Sequence, residues 1–159
     1  MHESTRNERM KLQKALLLAS SDMEQAAAAA RALERESDGM LARALETAMI
    51  VCYFRPYSTS SLKTLPDQYV PTTSPDSERH AILKELRDQV HAHTDKASGR
   101  TVSVQMSVDG DIVNLEWREG WLPFPRQVIP AMLEYFEERR DQFRIDAAHI
   151  QVELDSAGS

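Results

Sequence analysis

One apolar stripe near the start of the chain constrains the fold more than any other feature. Its members recur at alternating intervals of four and three residues, which is the spacing of a helix face that packs against other helices. They are Leu12, Leu16, Ala19, Met23, Ala26, Ala30 and Leu33. The alanines let a neighbouring helix approach closely, and the run QAAAAARALERE has a high intrinsic helix propensity. The sequence therefore predicts a first helix that buries this stripe, either within the chain or against a second copy.

Three more segments have helical patterns. A second helix is predicted over MLARALETAMIVCYF, and Pro56 forces it to end. A third lies within SPDSERHAILKELRDQVHAH, after a long polar connection, and a fourth within RQVIPAMLEYFEERRDQFR. The 159 residues suit one domain, which we expect to span 1–159.

The pattern between the third and the fourth helix changes to an alternation of apolar and polar residues. Asp109-Gly110 is a strong two-residue turn signal, and with this turn Val104 lies opposite Leu115. A β-hairpin is predicted over about 100–118. The predicted fold class is therefore mainly α, a helical bundle with one inserted β-hairpin.

Composition excludes some function classes. The net charge is -6, so the chain is not a bulk nucleic-acid coat, although a local basic pocket remains open. The single cysteine, Cys52, cannot form an intrachain disulfide, which fits a reducing cytosol. The N-terminal apolar run is too short for a signal peptide, and no apolar run is long enough to span a bilayer. We expect a cytoplasmic protein without a membrane contact.

The stretch LRDQVHAHTD, at the end of the third predicted helix, carries the candidate chemistry. Its His91, His93 and Asp95 have the spacing of some metal sites, but residues two apart on a helix point to nearly opposite sides. We therefore expect no metal and no other cofactor. Arg87 and His91 are four residues apart and share a helix face, and His93 lies just beyond.

Two interpretations of these residues stay open. A histidine and a fixed guanidinium suit RNA cleavage without metal, because one moves a proton and the other stabilises charge on phosphorus. Alternatively, the positive side chains only cap and solubilise the end of a helix.

The stretch also resembles a known family pattern. Arg87-Asp88, a short spacer and His93, at the end of a bundle helix, are similar to the motif of the HEPN superfamily. Together with the earlier YFRPYS, the flanks LRDQVHAHTD resemble a group of bacterial HEPN-like proteins. The matching segments cover a small part of the chain.

The resemblance implies an antiparallel four-helix bundle that usually dimerises, so that the Arg…His pairs of two subunits meet in one cleft. Active members are metal-independent endoribonucleases, often toxins or phage-defence effectors, and others are non-catalytic binding modules. Carried over by position, Arg87 and His93 would be the catalytic core, and Asp88 the polar orienter. The partners implied are a second copy of the chain, an RNA substrate and an antitoxin or other partner protein.

Four further residues are auxiliary candidates. Arg55 could bring a second cation, with the hydroxyls of Tyr57 and Ser58, toward Arg87, or it could cap the second helix. His91 could be a second proton-transfer group, ranked below His93. Three functions therefore compete: an endoribonuclease, a non-catalytic interaction module, and a plain structural bundle.

Overall fold

Four helices make up most of the structure, in the chain order that the apolar patterns predict. The computed structural model describes residues 3–37, 39–58, 65–92, 102–108, 111–117 and 126–157. The helices are α1 (Glu3–Arg35), α2 (Gly39–Phe54), α3 (Asp76–Ala92) and α4 (Ile129–Ser156), and the strands are β1 (Val102–Val108) and β2 (Asp111–Trp117). Short 3-10 helices cover Arg55–Tyr57, Asp67–Tyr69 and Arg126–Val128. The described part is thus mainly helical.

The longest two helices, α1 and α4, pack side by side and run in opposite directions. Their polar contacts pair the start of one with the end of the other: Gln13 Nε2 donates to Gln151 Oε1 at 2.7 Å, and Arg31 pairs with Glu137. Between these ends, Glu24 pairs with Arg140 at 3.1 Å. This seam of polar contacts flanks the apolar contact between the two helices.

The apolar stripe of α1 is the core of the chain itself. Six of its seven residues are at most 2% exposed, and Leu12 is partly buried against the same cluster. The stripe packs with apolar residues of α2 and α4, among them Tyr53, Phe136 and Phe143. The sequence allows this face to pack either within the chain or against a second copy. In the structure it packs within the chain. The stripe therefore offers no free surface to a second copy.

The end of α2 positions the candidate site. Pro56 stops the α-helix as expected, and the chain continues as the 3-10 helix Arg55–Tyr57. At this end, Tyr53 and Phe54 are buried and contact the ring of His80, at centroid distances of 5.6 and 5.3 Å. These aromatic contacts fix α3 against α2.

The last helix is longer than its apolar pattern predicts. The sequence places it within 126–144, whereas α4 runs to Ser156. Ala147, Ile150 and Leu154 are buried, and they extend the apolar face that packs on α1. The tail is helical because α1 gives this face a partner, which lies far away in the sequence.

The two strands form an antiparallel pair between α3 and α4. Val104 lies opposite Leu115 and Met106 opposite Val113, which is the register that the sequence predicts. The turn residues Asp109 and Gly110 lie outside the described residues. In the part of the chain that the structure describes, no helix has the length and apolar character that crossing a bilayer requires.

Candidate functional site

Arg87 lies on the face of α3 that meets the end of α2. Its guanidinium carbon is 4.7 Å from the centroid of the Phe54 ring, and its side chain is 30% exposed. A guanidinium stacked on an aromatic face gains roughly 0.5–1 kcal/mol and loses freedom to move. Arg87 is therefore held in one direction while part of it stays accessible to a ligand.

Asp88 holds the same guanidinium from the solvent side. The Nε and Nη2 groups of Arg87 donate to Asp88 Oδ1, at 2.9 and 2.6 Å. This contact is what an orienting residue would make. Asp88 also neutralises part of the positive charge of Arg87. An incoming anion would therefore compete with the Asp88 carboxylate for the guanidinium.

His80 is a neighbour of Arg87 that the sequence analysis missed. It lies seven residues before Arg87 on α3, so the two share a helix face, and both contact the ring of Phe54. His80 also meets the ring of Tyr57 edge to face, at a centroid distance of 5.1 Å and an angle of 89°. The half-buried imidazole is thus enclosed by aromatic rings on one side.

A hydrogen-bond chain leads from His80 into the core. The hydroxyl of Tyr53 lies 2.7 Å from His80 Nδ1 and 2.9 Å from the hydroxyl of Tyr135. Burial raises the pKa of both tyrosines, so both hydroxyls keep their protons. Among the described residues, the hydroxyl of Tyr135 has no acceptor other than Tyr53.

This chain favours one of the two neutral tautomers of His80. A buried hydroxyl that donates to nothing costs about 1–3 kcal/mol. An arrangement that satisfies both tyrosine donors runs from Tyr135 to Tyr53 and from Tyr53 to Nδ1 of His80. The neutral imidazole then carries its hydrogen on Nε2.

The charges around His80 favour its neutral form. Burial lowers the pKa of His80 below its usual value, and the positive charges of Lys84, Arg139 and Arg87 lower it further. Lys84 is exposed and stands between His80 and Arg87 on the same face of α3. This face is therefore locally basic, although the whole chain is acidic.

Arg55 turns away from Arg87. Its guanidinium lies 3.4 Å from Asp22 Oδ1 and 3.3 Å from Gln25 Oε1, both on α1. The sequence predicts that Arg55 contacts either Arg87 or the last carbonyls of α2. Among the described residues it makes neither contact. It ties the end of α2 to α1 instead.

Tyr57 and Ser58 also have structural partners. The hydroxyl of Tyr57 accepts a hydrogen bond from Arg139 at 3.2 Å, and that of Ser58 donates to the carbonyl oxygen of Phe54 at 2.8 Å. Arg139 donates in addition to the carbonyl oxygen of Tyr69 at 2.5 Å. The ring of Tyr57 contacts Phe54 and His80 in the candidate site.

The two histidines after Arg87 lie wholly or partly outside the described residues. His93 lies outside the described residues, as does Asp95. His91 belongs to α3 and follows Arg87 by four residues, but its side chain is outside the description. His80, Lys84, Arg87 and His91 thus follow one helical stripe, and this spacing is the signal that could have pointed to His80.

No group of three potential metal-binding side chains occurs among the described residues.

Comparisons with protein-family models, with curated proteins and with solved structures found no match.

Proposed function

We propose that the protein is a metal-independent endoribonuclease of the HEPN type that acts as a toxin or phage-defence effector. The observation that carries the proposal is the state of Arg87, which is stacked on Phe54, oriented by Asp88 and 30% exposed. A guanidinium held in this way suits a phosphate, because its direction is fixed before the substrate binds. Lys84 on the same face adds to the local basic character.

In the proposed reaction, Arg87 stabilises the negative charge that develops on the phosphate. The neighbouring 2′-hydroxyl of the RNA attacks phosphorus, and the bond to the 5′-oxygen breaks. His93 takes the proton of the 2′-hydroxyl and returns a proton to the departing 5′-oxygen, and the product ends in a cyclic phosphate. The resemblance further implies that two subunits bring their Arg…His pairs into one cleft.

The test is incubation of the purified protein with mixed RNA in EDTA. We expect cleavage with cyclic phosphate ends, and a loss of about a hundredfold or more in rate for both Arg87→Ala and His93→Ala. Arg43→Ala is the matched control, because Arg43 is an exposed arginine on α2 away from this face. His91→Ala should have the smaller effect.

Other outcomes decide against parts of the proposal. Cleavage that Arg87→Ala does not slow would remove this face as the site. A dead His91→Ala beside an active His93→Ala would show that the motif is aligned wrongly.

The alternative is a non-catalytic HEPN-like binding module. The pairing of Arg87 with Asp88 favours it, since a guanidinium whose charge is already matched binds phosphate more weakly. The net charge of -6 favours it as well. Binding of RNA or of a partner protein without any cleavage in the same assay would support this module.

A further inference from the structure

We propose that His80 donates a hydrogen bond, from Nε2, to the same phosphate that Arg87 binds. The inference rests on the phosphate site of the proposed function but not on cleavage. It adds a contact residue that lies seven positions before Arg87, outside the Arg…His segment on which the resemblance depends.

The geometry brings the two side chains together although their backbones are separated. Seven residues span about 10 Å along a helix axis. Side chains on a helix lean toward its N-terminus, so Arg87 leans back toward His80. The guanidinium carbon of Arg87 and the ring centroid of His80 both lie within 5.3 Å of the centroid of the Phe54 ring. Both groups therefore adjoin one aromatic ring, and we place the phosphate between them.

The buried tyrosines prepare His80 for this contact. Because Tyr53 donates to Nδ1, the hydrogen of the neutral imidazole is on Nε2. Among the described residues, Nε2 has no hydrogen-bond partner, and the His80 side chain is only half-buried. It is therefore a donor that solvent or a ligand can reach, with a direction fixed by the core.

The same chain argues against His80 as the proton-transfer group. Proton uptake at Nδ1 would break its bond from Tyr53, and the lone pair needed for a base is not on the reachable nitrogen. Nearby positive charges oppose protonation as well. His80 thus contributes a constant neutral donor at neutral pH, and its effect belongs to binding rather than to proton transfer.

Two substitutions separate this role from a merely structural one. In His80→Asn, the amide oxygen takes the place of Nδ1, so it can accept from Tyr53 while the outer donor is lost. In His80→Gln, the amide nitrogen takes the place of Nε2, so the outer donor is kept while Tyr53 loses its acceptor. Each variant therefore keeps one of the two hydrogen bonds of the ring and loses the other.

The experiment measures affinity for a fluorescent single-stranded RNA whose 2′-hydroxyls are replaced by fluorine, in EDTA, by anisotropy. Such RNA cannot be cleaved, so the result is independent of catalysis. We expect the dissociation constant to rise about tenfold for His80→Asn with its unfolding midpoint unchanged. His80→Gln should bind nearly as wild type but unfold more easily.

The affinity of His80→Asn decides the matter. If it equals that of wild type, His80 is only structural and the inference is overturned. If His80→Asn does not fold, His80→Gln decides, and a loss of affinity in this variant overturns the inference. Binding by wild type without cleavage of ordinary RNA would refute the endoribonuclease alone, whereas no binding by wild type would refute both proposals.

Discussion

Phe54 is the residue on which the candidate site depends. It is buried at the end of α2, and its ring contacts both Arg87 and His80. A leucine at this position would keep most of the apolar burial but would lack the aromatic face that attracts a cation. Phe54 therefore links the packing of α2 and α3 to the direction of the guanidinium.

We expect Phe54→Leu to weaken RNA binding about two- to fivefold, because the stacking on the ring contributes about 0.5–1 kcal/mol. Phe143→Leu is the matched control, since Phe143 is also buried and carries a guanidinium, that of Arg139, 4.8 Å from its ring. Both variants should lose some stability in urea unfolding. Equal losses of RNA affinity in the two variants would show that the cause is general destabilisation and not the loss of the ring under Arg87.

His80 predicts a pH dependence of stability. Its pKa is lower in the folded state than its usual value of 6.5, so the native protein binds fewer protons than the unfolded chain. Its contribution to the free energy of unfolding is thus complete above pH 6.5 and is lost as the pH falls toward the lowered pKa. The groups that face it are Tyr53, Tyr57, Lys84, Arg87 and Arg139.

The measurement is chemical unfolding at about pH 7.5 and about pH 5, which lie above and below the usual histidine pKa of 6.5. Wild type should lose more stability between these values than His80→Asn, which has nothing to titrate at this position. If the two proteins lose the same amount, carboxylates elsewhere explain the acid sensitivity, and His80 does not.

At the scale of the element, α1 is the helix that organises the core. We expect Met23→Ala to lower the free energy of unfolding by about 2–5 kcal/mol, because Met23 is fully buried and the smaller side chain leaves a cavity. Leu17→Ala, at a position on α1 that is 52% exposed, should change it by no more than about 0.5 kcal/mol. The loss for Met23→Ala should not depend on protein concentration, since the stripe is buried within one chain. A concentration-dependent loss would contradict this.

The elements were predictable where the signal is local. The stripe of α1 and the alternation around Asp109-Gly110 each depend on neighbouring residues, and they give the helix and the strand register that the structure has. The direction of Arg55 was not predictable, because Asp22 and Gln25 belong to another helix. The helical spacing of His80 and Arg87 is a local signal, but the hydrogen-bond chain from His80 to Tyr53 and Tyr135 was not predictable, because these residues belong to α2 and α4.

At the scale of the whole molecule, the resemblance bears on assembly. We expect a homodimer, as the resemblance implies, but the stripe on α1 cannot form its interface because it is already buried. Light scattering should give twice 18.0 kDa at micromolar concentration. A mass of 18.0 kDa throughout that range would end the expectation, and the cleft shared by two subunits with it.

The pairing of α1 with α4 has a consequence for synthesis. Contacts such as Gln13 with Gln151 join residues 138 positions apart, so α1 leaves the ribosome long before its main partner exists. Until α4 is made, part of the apolar face of α1 stays exposed, which favours aggregation and recognition by chaperones. A message truncated before α4 would therefore yield a product destined for degradation, and not a smaller folded bundle.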